Sequence, residues 1–324
     1  MRFATLANGH PDGRLHLVCR HNAMMVPAEA ASTLQQALER WDELAPRLEH
    51  QYQQLNEGRA EGMGPFDPDQ ALAPLPRAWQ WLDGSAFDSH GELMERVFKL
   101  EARHALGRPL MYQGISDRFL SPAEPSVFPS EQDNIDFEGE FAVITGAVEM
   151  SADADTGMNA IRLLVQVNDW SLRYLGPIEM KTGFGMVQCK PRCSMAPIAV
   201  TPDELGPSWR EGRVALDLRI ALNGEPFGHP NGHAMSVGFH ELVAHAAYSR
   251  DLPAGTVIGS GTVSNPDYRE VGSACIAERR AIEIDDSGEA RAPFLRFGDE
   301  VHMEARQADG SPLFGAISQR VAAR

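Results

Sequence analysis

Ile135-Asp136-Phe137-Glu138-Gly139-Glu140-Phe141-Ala142-Val143-Ile144 is the stretch that decides the fold, because apolar and acidic side chains alternate along it. The apolar face consists of Ile135, Phe137, Phe141 and Val143, and the acidic face of Asp136, Glu138 and Glu140. Such alternation is typical of a β-strand. At a rise of about 3.3 Å per residue, the Cα atoms of Glu138 and Glu140 are expected roughly 6.6 Å apart on the same face.

Two carboxylates this close repel each other unless a cation neutralises them. At an effective dielectric constant near 20, two unit charges about 4 Å apart interact by roughly 4 kcal/mol. Ligands that are all oxygen favour a hard divalent ion, so magnesium is the first expectation, with calcium and manganese left open. The alternative is an ordinary solvated pair, since the chain has 45 Asp and Glu residues.

Two further acidic residues and a histidine strengthen the metal interpretation. Asp83 precedes His90 by seven residues, and Asp169 follows the apolar run 161–167. The end of a buried element that opens into a polar loop is where sites are usually built. Histidine exchanges protons with water near neutral pH, so it suits a role beside a metal-bound substrate.

Four sequence blocks in order resemble the fumarylacetoacetate hydrolase family from about residue 76 to the C-terminus. They are Asp83-x6-His90, the strand 136–146, Val167-Asn168-Asp169-Trp170-Ser171-Leu172-Arg173, and Gly259-Ser260-Gly261-Thr262-Val263-Ser264-Asn265. The resemblance implies an α+β, mainly β fold with a mixed β-roll. It also implies a homodimer. Because the segment 57–76 is rich in Gly and Pro, we place a domain boundary near residue 75, with a small N-terminal α/β domain and linker over residues 1–75 and a catalytic domain over residues 76–324.

The resemblance also implies roles for individual side chains. The metal ligands it implies are Asp83, Glu138, Glu140 and Asp169. His90 would activate water, and Lys181 and Arg173 would lie beside the substrate. The carboxylate that orients His90 stays open among Glu278, Glu92 and Glu95.

Three positions depart from the fumarylacetoacetase pattern. Gly176 replaces a glutamine, Met186 replaces a threonine, and Gln113 stands where many short members carry a lysine. The identity of the substrate is therefore open.

The function implied is metal-dependent hydrolysis of a carbon–carbon bond in a 1,3-diketo acid, of the fumarylacetoacetate or acylpyruvate type. The pathway expected is the catabolism of aromatic compounds or amino acids, such as tyrosine degradation. The alternative on the same fold is a decarboxylase, isomerase or hydratase of a 2-oxo acid such as oxaloacetate. A metal-binding module without catalysis would leave His90 and Lys181 unexplained.

Three other motifs carry no comparable signal. The histidines of His240-Glu241-Leu242-Val243-Ala244-His245 are five residues apart, which turns them about 140° from each other on a helix. Gly259-Ser260-Gly261 lacks the strand and helix of a nucleotide-binding turn. Cys189-x3-Cys193 has no second cysteine pair, so ordinary reduced thiols are expected.

Composition bounds the remaining classes. The chain has 324 residues, 43% of them hydrophobic and 23% charged, and a net charge of −16. That charge argues against a nucleic-acid partner. The N-terminus shows no sustained apolar run, so neither a signal peptide nor a membrane span is expected, and cytoplasmic location is the default.

Simple patterns predict several local elements. Short strands are expected within the first 27 residues, a helix from Leu34 until Pro46 interrupts it, and a linker over 57–76. Hairpins are expected around Asn223-Gly224 and between the segments 301–306 and 313–317.

Overall fold

The computed structural model describes residues 1–99 and 108–324. The first 77 residues contain β1 (Arg2–Leu6), β2 (Arg14–Val18), β3 (Met24–Pro27), α1 (Leu34–Glu39), α2 (Trp41–Asn56), β4 (Gly64–Pro65) and β5 (Ala71–Leu72). There follow β6 (Gln80–Ser85), α3 (Asp88–Phe98), β7 (Leu110–Gly114), β8 (Ser126–Phe128), β9 (Ile135–Asp136), β10 (Gly139–Thr145), α4 (Ala154–Ala160), β11 (Ile161–Asn168), β12 (Ser171–Leu172) and α5 (Gly176–Thr182).

The remaining elements come after residue 190. They are β13 (Ser194–Met195), β14 (Ala199–Val200), β15 (Trp209–Arg210), β16 (Arg213–Val214), β17 (Leu218–Leu222), β18 (Glu225–Gly228), α6 (Phe239–Ala246), β19 (Thr256–Gly259), α7 (Tyr268–Val271), α8 (Ile276–Ser287), β20 (Glu300–Ala305) and β21 (Ile317–Ala323). In the described part of the chain, every helix is too short or too polar to cross a membrane.

Two mixed sheets form the body of the molecule. A sheet of twelve strands runs β4-β3-β2-β1-β14-β11-β10-β19-β6-β7, with β13 on β11 and β5 on β1. A second sheet runs β18-β17-β20-β21-β8. Strands β19 and β6 are parallel, as are β21 and β8. This arrangement confirms the predicted α+β, mainly β fold, and the N-terminal strands continue the large sheet.

Strand β10 is buried on both faces. Phe141 and Val143 belong to the core shared with the second sheet, whereas Ala142 and Ile144 belong to the core beneath α1 and α2. The alternative of an ordinary solvated acidic pair is therefore wrong, since Glu138 and Glu140 are both buried. The regular strand also begins only at Gly139, and two residues, Phe137 and Glu138, separate it from β9.

The N-terminal region contains the predicted short strands, but the helix predicted from Leu34 to Pro46 is wrong in its end. Arg40 separates α1 from α2, and Pro46 lies inside α2. Proline removes one backbone hydrogen bond near the start of that helix. Burial of Leu48, Tyr52 and Leu55 along the same helix offsets that loss.

The stretch expected to be a linker is held by the sheet. Strand β5 pairs with β1, and Ala73 and Leu75 are buried. The predicted linker is therefore held in place by backbone hydrogen bonds to β1 and by packing in the core.

The two predicted hairpins have different outcomes. Asn223 and Gly224 have φ values of 53° and 82° and connect β17 to β18, which confirms the first hairpin. At the C-terminus, β20 pairs with a strand that starts at Ile317, so the strand expected from Leu313 is wrong. Gly315, with a φ of 75°, interrupts the extended conformation there.

The histidine and cysteine motifs that carried no functional signal in the sequence belong to ordinary structural elements. Helix α6 carries His240 and His245 and buries Phe239, Leu242 and Val243, as expected. All four cysteines are buried and free.

Candidate active site

Three buried carboxylates meet across neighbouring strands of the large sheet. Asp83 lies in β6, Glu140 in β10, and Asp169 directly after β11. One oxygen from each lies within 4.8 Å of the others. We call these three residues the acid cluster.

A glycine makes this approach possible. Strand β19 separates β6 from β10, and its Gly259 pairs with Asp83 on one side and Ala142 on the other. A Cβ atom at this position would lie 2.4 Å from Asp83 Oδ1 and 3.0 Å from Glu140 Oε2. The missing side chain therefore provides the space in which the two carboxylates face each other.

Within the acid cluster, Lys190 pairs with Asp169, whereas Asp83 and Glu140 form no ion pair with a cation among the described residues. Burial and the charge of Asp169 raise the pKa of Asp83 well above its ordinary range. Burial and the charge of Asp83 raise the pKa of Glu140 in the same way. Within the described residues, neither oxygen of Glu140 has a hydrogen-bond partner. Orphaned buried oxygens in an all-oxygen group fit a hard divalent cation.

Glu138 is neutralised separately. Its Oε1 accepts hydrogen bonds from Lys190 Nζ and Ser171 Oγ, both at 2.7 Å, and pairs with Arg173 Nη1 at 2.9 Å. Its Oε2 accepts a hydrogen bond of 2.6 Å from Thr262. Burial opposes ionisation, but the charges of Lys190 and Arg173 hold the pKa of Glu138 below its ordinary range. The structure leaves Glu138 beside the acid cluster, and its role as a fourth ligand stays a prediction.

Lys190 is the buried cation of this site. Its Nζ donates to Glu138 at 2.7 Å and to Asp169 at 2.5 Å, and lies 5.3 Å from the centre of the Tyr112 ring. Tyr112 Oη donates to Asp169 at 2.8 Å. Lys181, expected in this role, is exposed on α5.

Lys190 was not among the residues predicted from the sequence, and it lies within the Cys189-x3-Cys193 motif. Cys193 Sγ donates a hydrogen bond of 2.8 Å to Asp169. The signal available in the sequence was a lysine 21 residues after Asp169 (190 − 169).

The structure pairs His90 with Glu278. His90 Nδ1 lies 3.2 Å from Glu278 Oε1, and Glu278 is fully buried. Asp136 fixes the start of α8, because its two oxygens accept hydrogen bonds from the backbone N–H groups of Ile276 and Ala277 at 2.8 and 2.9 Å. Asp136 thus acts as a helix cap that holds Glu278 toward the histidine.

Two connected cavities lie in front of these groups. The inner chamber has a volume of about 340 Å³, and Asp83, Tyr112, Glu138 and Thr262 line it. The outer chamber has a volume of about 530 Å³, and its wall includes Met94, Phe98, Ala277 and Phe294. The residues that line both chambers are His90, Leu110, Arg173, Met180, Met186 and Lys190.

Arg173 lines both chambers, and one of its guanidinium nitrogens remains available as a hydrogen-bond donor. Its Nε and Nη1 pair with Asp136 and Glu138 at 2.8 and 2.9 Å. Its Nη2 has no hydrogen-bond partner among the described residues. A buried donor of this kind is available to an oxygen of a bound ligand.

The three positions that depart from the family pattern lie in different places. Gly176 and Met186 line the outer chamber, so their changes affect the cavity itself. Gln113 is exposed and contacts Arg250 at 3.4 Å.

Two protein-family models together match most of the chain. The family model described as fumarylacetoacetate (FAA) hydrolase C-terminal matches residues 80–322, and the model described as fumarylacetoacetase N-terminal domain 2 matches residues 1–77. The chain belongs to the fumarylacetoacetate hydrolase family. A fumarylacetoacetase of Caenorhabditis elegans is 27% identical over 208 residues, and the match covers 55% of this chain and 49% of the relative. The chain thus spans about half the length of that curated relative.

Solved structures of the same fold include enzymes with different names. Maleylpyruvate hydrolase from Sphingobium sp. SYK-6, in complex with manganese(II) and pyruvate, is 15% identical, with a TM-score of 0.66 and coverage of 100% of this chain and 99% of that one. A 5-carboxymethyl-2-hydroxymuconate delta-isomerase from Mycobacterium smegmatis is 18% identical, with a TM-score of 0.63 and coverage of 100% and 99%. At these identities the likeness shows the shared fold.

Proposed function

We propose that this chain is a divalent-metal-dependent enzyme that hydrolyses a carbon–carbon bond in a 1,3-diketo acid of the fumarylacetoacetate or acylpyruvate type. One observation carries the proposal: His90, which pairs with Glu278, lines the same chamber as Asp83 of the acid cluster. Hydrolysis needs an activated water, whereas decarboxylation of a 2-oxo acid such as oxaloacetate needs the enolate-stabilising metal more than an activated water. A homodimer that acts in aromatic-compound catabolism, including tyrosine degradation, completes the proposal.

Asp83, Glu140 and Asp169 would hold the ion, with magnesium as the first candidate and manganese or calcium as alternatives. When bound, a divalent ion supplies polarisation of the substrate carbonyl and neutralises charge on the departing enolate. The manganese in maleylpyruvate hydrolase supports an ion of this class.

His90 is the proposed general base. Because Glu278 accepts a hydrogen bond at Nδ1, Nε2 is left free to take a proton from water. The water oxygen then forms a bond to the carbonyl carbon. The carbon–carbon bond breaks with its electron pair on the departing carbon, which receives the proton back from His90. The products are a carboxylic acid and an oxo acid, which is a 3-oxo acid from fumarylacetoacetate and a 2-oxo acid from an acylpyruvate.

Lys190 and Arg173 supply the positive charge of the site. Lys190 already balances Glu138 and Asp169, and it also lines both chambers. The free Nη2 of Arg173 can donate to a substrate oxygen. We propose that these two residues take the place that the family resemblance gave to Lys181 and Arg173.

A substrate panel tests the proposal directly. Loss of diketo-acid absorbance would be followed with fumarylacetoacetate, fumarylpyruvate, acetylpyruvate and oxaloacetate, each with magnesium, manganese or EDTA. Cleavage of the diketo acids that stops in EDTA is expected. Turnover that survives complete metal removal would contradict the proposal, and cleavage of oxaloacetate alone would indicate a decarboxylase.

His90→Ala is expected to lower turnover about 10²–10⁴-fold, the range for a positioned acid–base group, with metal binding retained. His245→Ala, on α6, is the matched control and should leave turnover unchanged. Equal turnover in His90→Ala and the wild type would remove His90 from the mechanism.

A further inference from the structure

Arg280 is a cation in the wall of the outer chamber. It lies on α8 one turn after Ala277, and both side chains line this chamber and not the inner one. Its Nη1 donates to the carbonyl oxygen of Ala292, and its guanidinium carbon lies 4.7 Å from the centre of the Phe294 ring.

This guanidinium forms no ion pair within the described residues, although the chain has 45 acidic and only 29 basic side chains. Arg173, on the same chamber, already pairs with two carboxylates. A guanidinium carries five N–H donors in a planar fork that matches a carboxylate, and the Ala292 carbonyl engages one of its nitrogens. Arg280 therefore has donors left for an anion that enters the chamber.

The position of Arg280 indicates which part of a substrate it would meet. A diketo acid held near the acid cluster occupies the inner chamber, which Arg280 does not line. The rest of the substrate extends past His90 into the outer chamber of about 530 Å³, which far exceeds the space that a methyl group fills. Arg280 thus lies where the remote end of a longer acyl chain would be.

We propose that Arg280 is a specificity-determining residue that binds a terminal carboxylate on the acyl group of the substrate. The preferred substrates are then diketo acids that carry a second carboxylate at the far end of the acyl chain. This inference rests on the proposed function, since it concerns the substrate of that same site.

The test compares two substrates of equal length, fumarylpyruvate and its analogue with an amide in place of the terminal carboxylate. Arg280→Gln should lower kcat/KM for fumarylpyruvate about 10- to 100-fold, mainly through KM, because a charge-assisted hydrogen bond remote from the reacting carbon is lost. The amide substrate should change less than threefold, and Arg280→Lys should recover part of the activity on fumarylpyruvate.

Arg279→Gln is the matched control. The neighbouring Arg279 contacts the Phe227 carbonyl oxygen at 2.6 Å and does not line the outer chamber, so both substrates should react as in the wild type. Equal losses on the two substrates in Arg280→Gln, or no loss on either, would overturn the inference. A wild-type enzyme that cleaves neither substrate, nor acetylpyruvate, would instead reject the proposed function, and the inference with it.

Discussion

Glu138 and Glu140 lie two residues apart, yet their surroundings are opposite. Glu138 accepts hydrogen bonds or ion pairs from Lys190, Arg173, Ser171 and Thr262. Glu140 has no hydrogen-bond partner in the described structure and faces Asp83 across Gly259. Side chains of the protein balance the charge of Glu138, whereas the surroundings of Glu140 fit a bound cation.

The difference shows that spacing alone does not make a ligand. Both glutamates belong to the same E-x-E pattern, but Glu138 precedes the strand and Glu140 lies inside it. The cations that Glu138 meets come from elements after β11, which the pattern cannot indicate. Charge balance therefore identifies Glu140 as the stronger candidate ligand.

Removal of Lys190 is expected to give the largest effect on stability. Lys190→Met leaves Glu138 and Asp169 buried with less positive charge nearby, and loss of one partner in a buried ion pair costs about 3–5 kcal/mol. The measurement is the free energy of unfolding of the metal-free protein in a denaturant titration. Lys181→Met, at an exposed position, should stay within about 0.5 kcal/mol of the wild type. Equal effects of the two substitutions would refute the assignment of Lys190 as the buried counter-ion.

Glu140→Gln should change stability in the opposite direction. In the metal-free protein, it removes a carboxyl group whose ionisation is opposed by burial and by the charge of Asp83, and the new amide can donate to Asp83. We expect the free energy of unfolding to rise by up to about 4 kcal/mol, which is the repulsion between two unit charges about 4 Å apart at an effective dielectric constant near 20. Glu138→Gln should instead destabilise, because Lys190 and Arg173 lose their shared partner. Unfolding in the presence of a chelator checks both signs, and destabilisation by Glu140→Gln would show that its charge is already balanced.

Gly259→Ala is expected to have a smaller effect. The added methyl group would meet Asp83 Oδ1 and the Trp81 ring, each at 2.4 Å, and such overpacking costs about 1–3 kcal/mol. It should also weaken metal binding, because the carboxylates must move apart. Gly64→Ala serves as the control, since nothing lies within 4 Å of its Cβ position. Thermal unfolding with and without manganese separates the two effects, and an unchanged metal response in Gly259→Ala would contradict the role given to this glycine.

Much of the fold could be predicted from sequence because local patterns encode it. Alternation predicted the strand around Glu140, and Asn223-Gly224 predicted its hairpin through positive φ values. The burial of both faces of β10 could not be predicted, because α1, α2 and the second sheet come from distant parts of the chain.

The residues of the candidate site also fall into those that local sequence patterns indicate and those that depend on distant parts of the chain. The structure brings together Asp83, Glu140 and Asp169, and separately His90 and Glu278. The roles of Lys190 and of Asp136 as a helix cap depend on contacts between elements far apart in sequence. Lys181 resembled the family pattern, but an exposed position on α5 does not follow from a motif.

Calorimetric titration of manganese into the two glutamine variants tests the central claim most directly. The claim is that Asp83, Glu140 and Asp169 contribute most to holding the ion, whereas Glu138, whose charge Lys190 and Arg173 balance, contributes less as the predicted fourth ligand. Glu140→Gln should weaken manganese binding about 10- to 100-fold or more, and Glu138→Gln should weaken it much less. Retained binding in Glu140→Gln, or an equal or greater loss in Glu138→Gln, would contradict the account.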